Sequence, residues 1–275
     1  LMDHTGGSHH LYYFSDMDAV VLMVQDTACS AVTAALPKYK ALQEEFADKN
    51  VYFVMFNSTR GDSRSSIAAA ASASGIDVPV LLDEAQLVGQ ALGIESAGEA
   101  FVVDPKTWKL AYRGAVGADL GEALGDLLDG RPVARAQTEV DGCAVDFPSK
   151  DGHGEISYAK EVAPILQKNC VSCHRAGGIG PWAMNEYNLV WGFSPMIKEV
   201  LMTQRMPPWH ADPTVGHWAN DRALSDGDRR TLVNWINAGA PRGEGADPLA
   251  ENVTSQPVWG DLGEPDLIID IPPTD

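Results

Sequence analysis

The chain has 275 residues, with 20 basic and 38 acidic side chains and a formal net charge of −18. This acidity argues against nucleic acid or an anionic membrane surface as a partner, because both are themselves negative. The length is sufficient for two hydrophobic cores, and no stretch reaches the roughly 18 apolar residues that span a bilayer.

The first half alternates apolar runs of strand length with helical patterns. Strands are predicted over 19–25, 51–57, 78–82, 100–104 and 109–113, and helices over 31–46, 65–74, 84–92 and 120–128. Alternating strands and helices that end in a hairpin and a last helix are typical of the thioredoxin fold. We therefore expect a thioredoxin-like α/β domain over residues 1–135, followed by a linker over 136–156.

Cys29 is predicted to lie at the start of the first long helix. A helix N-terminus stabilises a thiolate, which makes Cys29 a candidate catalytic residue. Thioredoxin-like enzymes carry a second cysteine where this chain has Val32, and a cis-proline in the stretch that here reads Ser96 to Phe101, without proline. The paired-cysteine machinery of those enzymes is therefore missing.

Cys143 is the only other cysteine outside the motif described next, since the chain has four. Three states remain open for Cys29: a disulfide with Cys143, a reactive thiol, or an inert buried thiol. The sequence favours the disulfide without fixing its geometry.

The second half contains the run Cys170-Val171-Ser172-Cys173-His174. Two thiols and an imidazole at this spacing are what covalent attachment of haem c requires, with His174 as an axial iron ligand. A chance match, a zinc half-site and a dithiol redox pair are the alternatives, although no second cysteine pair completes a zinc site.

The surrounding pattern predicts a small all-α domain over residues 157–245. A helix over 157–169 leads into the motif, and a glycine-rich loop follows it. Further helices are predicted over 192–203 and from Ser225 to Gly239, the second with acidic residues in its first turn. Beyond residue 245 we expect an extended tail (246–275) with at most one strand, at 267–269.

Met206 is the candidate for the second axial ligand, because two following prolines hold it in a stiff loop. Met196 and Met202 fit helical periodicity and are expected in the core. Other rival ligands are Met184, His210 and His217.

Several aromatic and basic residues near the motif are candidates for haem contacts. Arg205 or Arg222 could hydrogen-bond a propionate, although surface ion pairs explain both equally well. The histidines near the first residue are expected at the surface rather than on a metal: His4, His9 and His10. Four tryptophans could wall a haem crevice or pack in the core: Trp182, Trp191, Trp209 and Trp218.

Longer motifs support the same interpretation. Tyr158 to Leu166, the Cys-x-x-Cys-His run, Arg205 to Pro213 and Trp235 to Ala240 together resemble a bacterial cytochrome c module. Such modules occur between an N-terminal redoxin domain and a C-terminal domain similar to copper type II, ascorbate-dependent monooxygenases. Gly263 to Leu267 is similar to the entry of that copper domain, which these residues do not include.

The resemblance implies a class I-type cytochrome c domain with one covalent haem c, ligated by His174 and Met206, that transfers single electrons. Its partner would be a redox protein or a copper oxygenase domain. Haem c maturation implies a periplasmic or other extracytoplasmic location, where a Cys29–Cys143 disulfide would persist. Two alternatives stay open: a thiol peroxidase that uses Cys29, and a haem peroxidase with an open iron site.

Overall fold

The computed structural model describes residues 1–148, 152–208, 211–212, 214–219, 221–251 and 265–269. The chain divides into two compact units. Unit 1 consists of Leu1–Lys150, Met202–Met206 and Asp212–His217, and unit 2 consists of Asp151–Leu201, Pro207–Ala211 and Trp218–Asp275. Within the described ranges, no helix is long and apolar enough to cross a bilayer.

The strands of unit 1 form a main sheet and a small second sheet. They are β1 (Ala19–Val24), β2 (Val51–Asn57), β3 (Val80–Leu82), β4 (Ser96–Ala97), β5 (Glu99–Asp104), β6 (Lys109–Ala115) and β7 (Cys143–Ala144). The main sheet has the order β3-β2-β1-β5-β6. Strands β1, β2 and β3 are parallel, whereas β5 runs antiparallel to both β1 and β6.

The helices of unit 1 cover this sheet. A 3-10 helix (Leu11–Phe14) precedes α1 (Ser30–Glu45), α2 (Arg64–Ala73), α3 (Leu87–Leu92) and α4 (Ala118–Leu128). Parallel strands need crossover connections, and α1 joins β1 to β2 while α2 joins β2 to β3. All six residues of β1 are buried, as expected for a central strand covered on both faces. The predicted thioredoxin-like α/β fold is therefore confirmed.

The predicted linker over 136–156 is wrong in its first half. Strand β7 pairs antiparallel with β4, with Ala97 opposite Cys143. The side chains of Cys143, Val145 and Phe147 pack against the core of unit 1. Alternate residues of this segment thus face the protein, which is the periodicity of a strand.

The regular elements described in unit 2 are helices. They are a 3-10 helix (His153–Glu155), a π-helix (Tyr158–Val162) that continues into α5 (Ala163–Asn169), α6 (Tyr187–Gly192), α7 (Ser194–Met202, which ends in unit 1), α8 (Asp226–Asn237) and α9 (Pro248–Glu251). The helix predicted over 192–203 is confirmed as α7, with Pro195 in its first turn, whereas α6 before it was not predicted. The core of unit 2 includes Tyr158, Leu166 and Trp235, each 1% exposed.

The prediction of an extended tail over 246–275 is wrong at its start, which packs on the helices of unit 2. Asp247 accepts hydrogen bonds from the Tyr158 hydroxyl at 2.8 Å and from the Tyr187 N–H at 2.6 Å. The Gln167 side chain donates to the Pro248 carbonyl at 2.9 Å, so α9 belongs to the helical unit. Residues 267–269 are exposed and form no strand.

Candidate functional site

The Cys-x-x-Cys-His motif follows the last turn of α5 and continues its helical path. The Cys170 N–H donates to the Leu166 carbonyl at 2.8 Å, and the His174 N–H donates to the Cys170 carbonyl at 2.9 Å. Cys170 and His174 are therefore one helical turn apart, with Cys173 between them. Three of the four predicted haem-binding residues, all but Met206, therefore lie within one helical turn.

The thiols of Cys170 and Cys173 are not bonded to each other. Burial, together with the nearby Cys173, raises the pKa of the Cys170 thiol to about 12. The pair also lies at the C-terminal end of α5, where the helix dipole disfavours a thiolate. Dithiol redox enzymes use the opposite arrangement, a thiolate stabilised at a helix N-terminus. The geometry therefore disfavours a dithiol redox pair at this motif.

The His174 ring is held in one orientation. Its Nδ1 lies 3.1 Å from the Trp182 carbonyl oxygen, which can only accept a hydrogen bond. The proton must therefore be on Nδ1, which leaves Nε2 of the neutral ring with a free lone pair. A backbone carbonyl that fixes the tautomer in this way is typical of metal-ligating histidines.

The loop after the motif folds back closely onto it. A Cβ atom at Gly178 would lie 2.3 Å from the Cys173 carbonyl oxygen, and one at Gly180 would lie 2.8 Å from His174 Nδ1. The Gly180 N–H donates to the Cys173 carbonyl at 2.9 Å. Glycine is therefore required at both positions, and the loop fits tightly around the Nδ1 side of the ring.

Trp182 is positioned by stacking. Its ring lies 4.3 Å from that of Phe193, with an interplanar angle of 17°, and 5.2 Å from the His174 ring. The alternative prediction, that these tryptophans pack in the core, is wrong for Trp191 and Trp218, which are 55% and 61% exposed. A crevice-wall role for these residues stays a prediction, and Trp209 lies outside the described residues.

Met206 is 39% exposed and lies in the segment that clusters with unit 1. Its pairing with His174 stays a prediction. Among the rivals, Met184 is buried, and its N–H donates to the His174 carbonyl at 2.8 Å. His217 is exposed, and His210 lies outside the described residues.

The predicted core position of Met196 is wrong, since this residue is 54% exposed. The buried face of α7 consists of Ser194, Ile197 and Leu201, which follow the helical repeat, and Met196 lies off that face. Met202 is half-buried.

Of the two candidate arginines, Arg222 is next to the motif. Its guanidinium donates to the Ser172 hydroxyl at 3.2 Å. Arg205 is exposed and lies in the segment grouped with unit 1. Contact of either residue with a propionate stays a prediction.

Cys29 and Cys143 are joined by a disulfide with a Cα–Cα distance of 5.9 Å. This is one of the three states that the sequence left open. Cys29 is the N-cap of α1 and is 4% exposed, whereas Cys143 is half-buried in β7. Their bond leaves Cys29 without a free thiol for peroxide chemistry.

The predicted surface position of the N-terminal histidines is wrong for His9. Its Nε2 donates to the Asp3 carboxylate at 2.6 Å, and its Nδ1 lies 3.2 Å from the Tyr52 hydroxyl. Burial opposes ionisation of Asp3, but hydrogen bonds from His9, Thr5 and Gly7 outweigh it and lower the pKa of Asp3 to about 2. Asp3 and His9 thus fix the N-terminal loop.

Sequence reasoning missed Gln86, which holds the segment that carries Cys143. The Gln86 side chain donates to the carbonyls of Ser58 and Asp146, both at 2.8 Å. Its backbone has a φ of +57°, a conformation that is uncommon for any residue other than glycine. No sequence signal marks a glutamine for that conformation.

Comparisons with known proteins cover the first unit. Residues 1–114 match the AhpC/TSA family, and no curated protein matches the chain. Similar solved structures include a hypothetical protein from Sinorhizobium meliloti 1021, which is 24% identical with a TM-score of 0.47 over 54% of this chain and 90% of that one.

Two further structures have comparable coverage. An uncharacterized conserved protein from Geobacillus kaustophilus is 25% identical with a TM-score of 0.42, over 47% of this chain and 77% of that one. The peroxidoxin BcpB from Mycobacterium tuberculosis is 20% identical with a TM-score of 0.38, over 47% and 88%. From the family match and the strand order together, residues 1–114 are a redoxin domain of the AhpC/TSA family with a thioredoxin-like fold.

Proposed function

We propose that the protein is an extracytoplasmic electron-transfer protein in which a redoxin unit is joined to a unit that carries one covalent haem c. Cys170 and Cys173 would form the two thioether bonds, and Nε2 of His174 would bind the iron. Such a haem accepts and donates one electron at a time.

The observation that carries this proposal is the hydrogen bond from His174 Nδ1 to the Trp182 carbonyl. It fixes the tautomer that a metal ligand needs and orients the ring. The thiols of Cys170 and Cys173 support the same role. They are not bonded to each other, and they lie at the C-terminal end of α5, where the helix dipole disfavours a thiolate.

The other residues of this unit have supporting roles in the proposal. The Trp182 ring would limit the access of water to the His174 side, since it stacks on Phe193 and lies tilted against the His174 ring. Met206 is the proposed second ligand. Its neutral thioether would favour ferrous iron and raise the reduction potential. The electron acceptor would be a redox protein or a copper oxygenase domain.

The Cys29–Cys143 disulfide supports the proposed compartment. Disulfides persist in exported proteins and are rare in the cytosol, and haem c is attached outside the cytoplasm. In the disulfide-bonded state, the N-cap sulfur of the redoxin unit is not free to attack peroxide.

The test uses the full chain co-expressed with haem c maturation proteins. We expect a c-type spectrum and a haem that stays attached under denaturing conditions, as shown by intact mass. Cys170→Ala/Cys173→Ala should abolish covalent haem. The matched control, Cys29→Ala/Cys143→Ala, removes the other cysteine pair and should retain it. Colourless protein of polypeptide mass would overturn the proposal.

Gly180→Ala tests the position of His174. The added Cβ would lie 2.8 Å from Nδ1 and 2.9 Å from the Cys173 carbonyl, so the loop must move and the bond to Trp182 weakens. Loss of such a supporting contact typically weakens ligation about 10- to 100-fold. In the variant, exogenous imidazole should displace His174 at a concentration lower by the same factor than in the unchanged protein, as followed by visible spectra. Gly192→Ala, where a Cβ meets nothing within 4 Å, is the control.

A further inference from the structure

We propose that Tyr52 is a redox-active tyrosine that quenches oxidising radicals of the peroxyl class. The radical takes one electron from the phenol ring, and Nδ1 of His9 takes the hydroxyl proton. Asp3 orients His9 and stabilises the imidazolium that forms. This inference concerns unit 1 alone and does not depend on haem.

The three side chains are hydrogen-bonded in a row. Nε2 of His9 lies 2.6 Å from the Asp3 carboxylate, and Nδ1 lies 3.2 Å from the Tyr52 hydroxyl. Burial opposes ionisation of Asp3, but hydrogen bonds from His9, Thr5 and Gly7 lower its pKa to about 2. Asp3 is therefore a carboxylate at neutral pH and supplies a fixed negative charge behind the His9 ring.

The carboxylate determines which nitrogen of His9 can act as a base. An ionised carboxylate only accepts hydrogen bonds, so the proton of the neutral ring is on Nε2. Nδ1 then has a free lone pair, and the Tyr52 hydroxyl donates to it. A separation of 3.2 Å is within the reach of a general base. An aspartate in this position also stabilises an imidazolium without becoming protonated itself.

The loop that carries the aspartate and the histidine is fixed to the main sheet. The Leu82 N–H donates to the Met2 carbonyl at 2.8 Å, and the His4 N–H donates to the Val80 carbonyl at 3.0 Å. Strand β2, which carries Tyr52, pairs with β3 in the same sheet. The base and the phenol are therefore held in place before any reaction begins, which lowers the cost of proton transfer.

The surroundings of Tyr52 couple the loss of its proton to the loss of an electron. Its ring is half-buried, and Phe14 stacks on it with a centroid distance of 3.9 Å and an interplanar angle of 18°. Burial, together with the negative charge of Asp3, raises the pKa of Tyr52. The hydroxyl therefore keeps its proton at neutral pH until the ring is oxidised.

The base removes the need for an unpaired charge in this half-buried site. Loss of the electron alone would leave a phenol cation, and loss of the proton alone would leave a phenolate, and burial disfavours both. Transfer of the proton to His9 in the same step leaves a neutral tyrosyl radical. The positive charge then lies on the imidazolium, where the Asp3 carboxylate pairs with it.

Tyr13 provides a contrast in the same unit. Its side chain is 60% exposed, and among the described residues no base accepts a hydrogen bond from its hydroxyl. Tyr13 is thus more accessible to a radical in solution than Tyr52, but it has no group to take its proton.

The reaction balances as a one-electron oxidation. A peroxyl radical takes one electron from Tyr52 and one proton from water, and becomes a hydroperoxide. The O–H bond of Tyr52 breaks, and an N–H bond forms at Nδ1 of His9. One electron from a soluble reductant such as ferrocyanide then restores the phenol, and His9 returns the proton.

The first experiment measures the oxidation of Tyr52 by flash photolysis. The full chain, oxidised beforehand with ferricyanide and desalted, is mixed with tris(bipyridine)ruthenium(II) and a sacrificial electron acceptor. The tyrosyl radical is followed by its absorption and by electron paramagnetic resonance. We expect a fast phase that Tyr52→Phe removes and that the matched control, Tyr13→Phe, retains. A fast phase that survives in Tyr52→Phe would overturn the proposal.

His9→Gln tests the base, because a glutamine amide can still donate to Asp3 but cannot take a proton. Removal of a general base should slow the fast phase about 100-fold or more. The control is Thr5→Ala, which removes a 2.7 Å hydrogen bond to Asp3 from the same loop and leaves the base in place. An unchanged rate in His9→Gln, or equal slowing in Thr5→Ala, would show that His9 is not the proton acceptor.

The second experiment tests the quenching of radicals. The full chain is exposed to peroxyl radicals from a thermally decomposing azo compound, with ferrocyanide as the electron source, and oxidised residues are quantified by peptide mass spectrometry. Oxidation of Trp108, which is 45% exposed, should rise several-fold in Tyr52→Phe and not in Tyr13→Phe. Equal oxidation of Trp108 in the unchanged protein and in Tyr52→Phe would show that Tyr52 does not quench these radicals.

Discussion

Removal of the Cys29–Cys143 bridge should lower the free energy of unfolding of unit 1 by up to about 5 kcal/mol. The two residues are 114 positions apart. Closing a loop of this length lowers the entropy of the unfolded chain by an amount worth about 5 kcal/mol at 25 °C. This is an upper bound, because residues 140–148 regain part of that entropy if they detach from the folded unit once the bridge is removed.

The choice of replacement at position 29 changes the expected value. Cys29 is the N-cap of α1, and its side chain makes no capping hydrogen bond. Serine is a favoured N-cap and stabilises a helix start by about 1 kcal/mol relative to alanine. Cys29→Ser/Cys143→Ser should therefore be about 1 kcal/mol more stable than Cys29→Ala/Cys143→Ala.

Native-state hydrogen exchange at the buried amides of β1 and β5 is the suitable assay, because these amides open with the whole of unit 1. It separates the unfolding of unit 1 from that of unit 2 in the same molecule. A loss below about 1 kcal/mol in the alanine variant would refute the argument that the bridge restrains the unfolded chain.

Three smaller changes test other parts of the fold. The pKa of Asp3 is lowered from 3.8 to about 2 in the folded protein, so its ionised form contributes about 2 kcal/mol above pH 4 that is lost as the pH falls towards 2. Asp3→Asn should remove that pH dependence from denaturant unfolding of unit 1. Tyr158→Phe removes the hydroxyl that donates to Asp247 and should destabilise unit 2 by about 2 kcal/mol, measured by hydrogen exchange in α8. Leu124→Ala, at a fully buried position, should cost about 3 kcal/mol in denaturant unfolding, and a loss below about 1 kcal/mol would mean that the cavity collapses.

The main sheet could be predicted from the sequence because its signals are local. Six consecutive apolar residues from Ala19 to Val24 specify a central buried strand without reference to any partner. Strand β7 could not be predicted, because the alternation of buried and exposed residues covers only Cys143 to Phe147 and its partner β4 is two residues long. The two strands are far apart in the sequence, so their pairing is determined by the folded unit rather than by either segment.

The candidate site shows the same division. The spacing of Cys170, Cys173 and His174 gives the haem prediction directly. The group that orients His174 is a backbone carbonyl, at Trp182, and every residue has one. The burial of Met196 was predicted wrongly because periodicity alone does not fix which face of a short helix packs inward.

The two cysteine pairs differ in the helix end that they occupy. Cys29 lies at the N-terminal end of α1, where the helix dipole stabilises a thiolate. Cys170 and Cys173 lie at the C-terminal end of α5, where burial raises the pKa of the Cys170 thiol and keeps it protonated. The two cysteine pairs thus lie in opposite helix environments, one that favours a thiolate and one that favours the protonated thiol of the proposed haem attachment. Alkylation by iodoacetamide at neutral pH should therefore modify Cys170 of protein made without haem much more slowly than it modifies a cysteine in an unfolded peptide, because the Cys170 thiol stays protonated.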